Sequence, residues 1–225
     1  MKVCVTLVGV SRPTIEQLKE NIKKNIHYFN TTYPQHTFTF FVLTYKNHLY
    51  EQVKEFCNGL LITCHGIPQI QEKDFIFPTR SFKPNVYRLF YSMNQLMDLI
   101  PNIYDCILRI RLDAEVCSFQ IHDVVEENTY YSHKESNISV ADNIGYGSYK
   151  VMSHIWKHNN CLLRGIATEE VLYSALKKCG FRTKDFKFHY KLYQSSDTTF
   201  DGVPQWSKRS REWIYNGKDY ILRDL

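Results

Sequence analysis

The sequence predicts an α/β protein: a mostly parallel central sheet flanked by helices, with a short C-terminal hairpin or arm. Three observations carry this. Short β-branched apolar runs alternate with amphipathic helical stretches in the order β-α-β-α-β, the signature of parallel strands joined by crossover helices. The 225 residues suit one domain with a sizeable core. At 44% hydrophobic and 23% charged, the composition is that of an ordinary globular chain.

The elements follow in order. Lys2 to Val10 is a β-branched apolar run and reads as a buried strand. Ser11-Arg12-Pro13-Thr14 breaks it and opens a helix whose apolar face is Ile15, Leu18, Ile22 and Ile26. Thr37–Tyr45 is a second strand, Lys46–Phe56 a helix, and Leu60–Cys64 a third strand. His65–Pro84 is loop-like, carrying Gly66, Pro68, Pro78 and Pro84. Asn85–Leu99 is the clearest helix, with Val86, Leu89, Phe90, Met93, Leu96 and Met97 as its stripe; Pro101 ends it. Tyr104–Arg111 is a fourth strand and Asn137–Val140 a short fifth. Ser148 caps a helix running to about Trp156. Thr168 opens another helix, which Gly180 stops. Lys187–Leu192 is a late strand, and Trp213–Leu222 a hairpin around Asn216-Gly217.

Charge and cysteine usage narrow the classes. A net charge of +5 is mild, well short of the dense basic surface of a nucleic-acid binder, and suits an anionic phosphate ligand. The seven cysteines include no Cys-x-x-Cys pair and read as small buried hydrophobes of a reducing, cytoplasmic compartment. No leader and no membrane span is expected. With 16 Tyr in the chain, flat hydrogen-bonding rings are available to line a polar groove as well as a core.

The most informative stretch is Ile107-Leu108-Arg109-Ile110-Arg111-Leu112-Asp113-Ala114-Glu115. In a strand, Leu108, Ile110 and Leu112 point one way, and Arg109, Arg111 and Asp113 the other. Central parallel strands are usually apolar on both faces. Two guanidinium groups and a carboxylate there are costly unless they pair or meet a ligand. The inexpensive placement puts Arg111 and Asp113 at the carboxyl end of the strand, where open α/β sheets bind ligands. The alternative is an Arg–Asp pair that ties a loop to the sheet.

The run from Asn85 to Glu115 resembles a family of GT-A-type glycosyltransferases of surface-polysaccharide loci and large DNA viruses. Tyr87-Arg88 matches the family's helix, and Tyr104-Asp105-Cys106-Ile107-Leu108-Arg109-Ile110-Arg111-Leu112-Asp113 its strand. Asp142-Asn143-Ile144-Gly145-Tyr146-Gly147-Ser148 resembles a later aspartate and Gly-Ser segment, and Glu169-Glu170 an acidic pair opening a later helix. Val8-Gly9-Val10-Ser11-Arg12 looks like the nucleotide-binding start of such folds.

The resemblance implies a GT-A-like fold in one domain: residues 1–115 as the nucleotide-binding half, 116–195 as the acceptor and catalytic half, 196–225 as the arm. It implies transfer of a sugar from a nucleoside-diphosphate sugar to a glycan or sugar acceptor by a monomer or weak dimer, cellular or virus-encoded, with no nucleic-acid partner. Gly9, Val10, Ser11, Arg12, Arg80, Arg88, Arg109, Arg111 and Asp113 are then candidates for binding the nucleotide and its phosphates. Mn²⁺ or Mg²⁺ is the implied cofactor, with Asp113, Glu115 and His189 as candidate ligands. The usual Asp-x-Asp is altered, and two registers stay open. In one, Asp113-Ala114-Glu115 puts Asp113 on a sugar hydroxyl and Glu115 on metal; in the other, Arg111-Leu112-Asp113 leaves Asp113 alone on metal. Asp142, then Glu169 or Glu170, are the candidate bases for the acceptor proton. Gly145-Tyr146-Gly147 would let a ring and backbone approach a sugar.

Two other readings stand beside this. A sugar-nucleotide nucleotidyltransferase would use a Gly-rich basic loop after the first strand, and Gly9-Val10-Ser11-Arg12 is short for one. A non-catalytic glycan- or nucleic-acid-binding module would use the aromatic and basic run Trp206-Ser207-Lys208-Arg209-Ser210-Arg211-Glu212-Trp213.

Overall fold

The structure, a computed structural model, describes residues 1–9, 14–68, 84–136, 139–140, 144–157, 168–193, 199–200, 203–204, 211–215 and 220–224. In chain order the elements are β1 (Lys2–Gly9), α1 (Ile15–Thr32), β2 (Thr37–Tyr45), α2 (Tyr50–Gly59), β3 (Thr63–Ile67), α3 (Pro84–Leu99) and β4 (Cys106–Arg111). Then come β5 (Ala114–Phe119), β6 (Thr129–Tyr131), β7 (Lys134–Ser136), β8 (Ser139–Val140), β9 (Ile144–Gly147), α4 (Tyr149–Lys157) and α5 (Thr168–Lys178). The chain closes with β10 (Arg182–Lys184), β11 (Phe188–Leu192), β12 (Thr199–Phe200), β13 (Val203–Pro204), β14 (Arg211–Tyr215) and β15 (Tyr220–Asp224).

A seven-stranded sheet runs β10-β6-β9-β4-β1-β2-β3. β4, β1, β2 and β3 are parallel, as are β10 and β6; β9 is antiparallel to both its neighbours. This is the mostly parallel α/β architecture that the sequence predicts. Alternation sorts the strand residues into two apolar layers. Val3, Val5, Leu7, Leu108 and Ile110 face α1 and α2, while Cys4, Val8 and Ile107 face α3, α4 and α5. Burying Leu18, Ile22 and Phe29 of α1 contributes about 1.5–3 kcal/mol each. Among the described residues no helix is long and apolar enough to cross a membrane.

A second, antiparallel sheet runs β15-β14-β11-β5. The expected C-terminal hairpin is present as β14 and β15, and it extends this sheet. The sheet's edge strand, β5, would leave a row of amide groups unpaired, and α1 covers them with polar side chains. Asn25 Nδ2 donates to the Ala114 carbonyl at 2.9 Å, and Asn25 Oδ1 accepts from Val116 N–H at 2.8 Å. Tyr28 Oη accepts from Phe119 N–H at 2.8 Å, and Tyr33 Oη bonds the Phe119 carbonyl. The stripe Leu18, Asn21, Ile22, Asn25, Phe29 is therefore buried although two of its members are polar.

Several expectations are corrected. The second helix starts at Tyr50 instead of Lys46, because Lys46 N–H is committed to the Ile67 carbonyl and Asn47 Oδ1 accepts from Leu49 N–H, forming a turn. The third strand lies at Thr63–Ile67 instead of Leu60–Cys64. Leu60 and Leu61 form the reversal after α2, with Leu61 at φ 57 and 95% exposed. The short strand near Val140 pairs with β7 in a separate two-stranded ribbon. On the side of β4 away from β1 the neighbouring strand is β9, in the Gly-rich stretch. There Tyr146 is buried and stacked on Tyr131 at 4.5 Å, and a Cβ on Gly145 would overlap the Tyr130 hydroxyl. That stretch packs rings into the core, so it does not present one to a sugar.

His122 lies against this aromatic layer, with Nδ1 bonded to Tyr146 Oη and the ring 4.9 Å from Tyr131. Burial first, and then the Lys184 ammonium, hold it below the ordinary value of 6.5; burial does the same to His133, against the nearby Asp185 carboxylate. The unfolded chain therefore binds protons that the fold refuses. The resulting stability is present above about pH 6.5 and is lost as pH falls below it. The urea midpoint is expected to drop between about pH 7 and pH 5, and to drop less in His122→Gln. Equal pH profiles for the two proteins would contradict this role for His122.

Candidate active site

The carboxyl ends of the parallel strands share one edge of the main sheet. In register, Gly9 lies beside Thr44, Val8 beside Arg111, and Tyr45 beside Ile67. Gly9 has φ +153, a conformation that side-chain-bearing residues rarely adopt. An added Cβ would meet Leu112 N only at 3.6 Å, so backbone conformation rather than space selects glycine here. Asp105, in the matched motif, holds the opposite end of the β1–β4 pair: its carboxylate accepts from Lys2 N–H at 2.7 Å.

At this edge the chain changes sheets. Leu112 N–H donates to the Val8 carbonyl at 3.1 Å, the last tie to β1. Asp113 follows, and Ala114 already belongs to β5. Arg111 closes back on Asp113 in a two-point ion pair, Nε to Oδ1 at 2.9 Å and Nη2 to Oδ2 at 2.8 Å. Asp113 keeps 4% of its side chain exposed and Arg111 23%, so the carboxylate is buried and the Arg111 side chain partly exposed. The pair thus sits at the hinge between the two sheets, with Arg111 the more exposed of its members.

Glu115 lies two residues further. Its Oε2 accepts from Lys24 Nζ of α1 and from Tyr193 Oη, each at 3.0 Å. Glu115 in turn holds the Lys24 ammonium above its ordinary range. Tyr193 N–H donates to the Asp113 carbonyl at 3.0 Å, so one residue after β11 touches both acidic positions. Lys24, Asn25 and Tyr193 carry this corner without belonging to any motif. Their one sequence signal is a polar Asn at the spacing of an apolar helical stripe.

The other sequence candidates fall elsewhere. Arg109 is buried in the layer under α4, its guanidinium 5.1 Å from the Trp156 ring, so it does not reach the edge. His189 lies in β11 opposite Ser118 and Ile214. Glu170 is half-buried in α5, which packs against α4, β8 and β10. Arg88 and Glu169 lie in α3 and α5, and their side chains are outside the described residues. Val10, Ser11, Arg12, Arg80, Asp142 and the run Trp206–Ser210 also lie outside the described residues.

Among the described residues the donor set does not fit a divalent cation. Both Asp113 oxygens meet Arg111, and Glu115 meets Lys24, so each carboxylate already has a cation. Among the described residues no group of three or more His, Cys, Asp or Glu is placed to hold a metal ion.

No family model matches the chain, and no curated protein matches it in sequence. Solved structures do match in fold. One is a mutant of Drosophila β-1,4-galactosyltransferase 7 in complex with manganese, UDP-Gal and xylobiose. It is 11% identical with a TM-score of 0.48, over 82% of this chain and 65% of that one. This chain thus spans 65% of the galactosyltransferase's length. Another is described as a glucose-1-phosphate thymidylyltransferase from Bacillus anthracis in complex with sucrose. It is 11% identical with a TM-score of 0.44, over 85% of this chain and 89% of that one. Both are too remote to carry an argument about chemistry.

Proposed function

We propose that this chain is a glycosyltransferase that moves a sugar from a nucleoside-diphosphate sugar to a glycan or sugar acceptor, with Arg111 and Asp113 at its centre. One observation carries the reading: a two-point Arg–Asp pair at the carboxyl edge of a parallel sheet, with Asp113 buried and Arg111 partly exposed. Carboxyl edges of open α/β sheets are where ligands bind. A planar guanidinium suits the oxygens of a diphosphate. The resemblance around Tyr104–Asp113 points to the same chemistry.

In the proposed reaction the bond between the anomeric carbon and the diphosphate oxygen breaks. The diphosphate leaves with the bonding pair, and the negative charge that develops faces Arg111. An acceptor hydroxyl oxygen forms the new bond to the anomeric carbon and gives its proton to a base, for which Asp142 is the candidate. Asp113 orients Arg111 through the two-point pair.

The test is a screen of nucleotide sugars for transfer or hydrolysis, run in Mn²⁺ and in chelator, on the native chain and Asp113→Ala. One donor is expected to turn over with the native chain, in chelator as well as in Mn²⁺, and none with the variant. Equal turnover by a folded variant would remove Asp113 from the mechanism.

A further inference from the structure

Two cations meet two carboxylates where the chain changes sheets. Arg111 takes both oxygens of Asp113. Lys24 Nζ, from α1, takes Oε2 of Glu115 at 3.0 Å, with Glu20 Oε1 of its own helix further off at 3.8 Å. One residue separates Asp113 from Glu115, so their Cα atoms lie within about 7 Å. Tyr193 spans the same interval, its N–H on the Asp113 carbonyl and its hydroxyl on Glu115 Oε2, each at 3.0 Å. Asn25, next to Lys24 in α1, bonds the carbonyl of the intervening Ala114 at 2.9 Å and so fixes the helix against this corner.

In each pair the carboxylate is the more buried partner. Glu115 keeps 14% of its side chain exposed and Lys24 45%, the same order as in the Asp113–Arg111 pair. The Glu115 hydrogen bond, against an opposing effect of burial, keeps the Lys24 ammonium above its ordinary range, so Lys24 stays charged. A divalent cation would have to displace both side-chain cations to gain these oxygens. A lysine paired with a glutamate can still bind phosphate oxygens.

We infer that Lys24 is the second phosphate-binding residue of this corner: with Arg111 it receives the diphosphate of the nucleotide, in place of a divalent cation. This rests on the transferase reading, which sets the diphosphate against Arg111. The Arg111 fork presents a plane of donors, and the Lys24 ammonium adds a point charge beside it. Charge that develops on the departing diphosphate is then shared by two side chains of the chain itself. Tyr193 is a positioning residue here, because its hydroxyl shares with Lys24 the oxygen that holds the ammonium in place.

The experiment titrates the full chain with UDP, GDP, ADP and CDP by calorimetry, first in chelator and then in Mn²⁺, with Asp113→Asn, Lys24→Gln and Lys24→Arg beside the native chain. One diphosphate is expected to bind the native chain in chelator, with the same Kd in Mn²⁺. Lys24→Gln should weaken it about tenfold or more. Lys24→Arg, which keeps the charge, should recover most of the loss. Lys24 is exposed, so both variants should melt with the native chain; if one does not, the comparison of chelator with Mn²⁺ on the native chain still decides. Binding that needs Mn²⁺, Lys24→Gln that binds as tightly as the native chain, or equal losses in Lys24→Gln and Lys24→Arg would overturn the inference. Where Asp113→Asn still abolishes binding in those cases, the Arg111 reading stands without Lys24. A native chain that binds none of the four under either condition would overturn both.

Discussion

Asp113→Asn is expected to abolish sugar transfer and to lower stability by about 1–3 kcal/mol. The asparagine keeps the shape of the side chain and removes its charge. Arg111 then loses a partner that bonds it at two points. A fully sealed pair broken this way costs about 3–5 kcal/mol. Arg111 keeps 23% of its side chain in water, which lowers the cost. The chemical loss is larger because the two-point pair with Asp113 sets the plane of the Arg111 fork. Arg111→Lys tests the same geometry from the other side: one ammonium cannot reproduce two parallel N–H bonds. It should retain charge and fold while losing most activity. Were the pair only a tie between loop and sheet, folded Asp113→Asn would work as well as the native chain, and steady-state rates corrected for folded fraction separate the two cases.

Asn25→Ala is expected to lower stability by about 2–4 kcal/mol, since two buried hydrogen bonds vanish and the Ala114 carbonyl and Val116 N–H lose their partner. That is a large part of the roughly 5–15 kcal/mol that holds such a domain together. The effect should be local as well as global. Hydrogen exchange across 114–119 should quicken more than exchange in β1 or β2, because α1 no longer covers the edge of β5. Activity should fall as well, since β5 fixes Asp113 and Glu115 against the main sheet. Asn25→Asp keeps the acceptor for Val116 N–H and sets a carboxylate against the Ala114 carbonyl, so it should be no better than alanine. Urea melts with exchange mapping read both effects; an Ala variant as stable as the native chain would mean that β5 holds its place without α1.

The fold was legible wherever a single periodicity governs a segment. Lys2–Gly9, Thr37–Tyr45 and the α3 stripe of Phe90, Met93, Leu96 and Met97 follow from alternation and helical spacing alone. Elements set by tertiary pairing were not legible. Ala-Glu-Val-Cys-Ser-Phe becomes β5 because Asn25 and Tyr28 bond one edge of it and β11 the other. Ile-Gly-Tyr-Gly becomes β9 because its glycines let Tyr130 and the Thr129 backbone approach closely. At the site, the charged alternation puts Arg109, Arg111 and Asp113 on one face. It could not show that Arg109 stops beneath Trp156 while Arg111 reaches the edge. Lys24 and Tyr193 carry no local pattern, and only the fold brings them to Glu115.

Hydrogen exchange in the presence of a panel of nucleoside diphosphates, with and without Mn²⁺, examines the corner most directly. One diphosphate should slow exchange at Gly9 and through 111–115, and the slowing should vanish in Asp113→Asn. Binding that leaves 111–115 unchanged, or that slows only the C-terminal strands, would place the ligand elsewhere and contradict the assignment of Arg111 and Asp113.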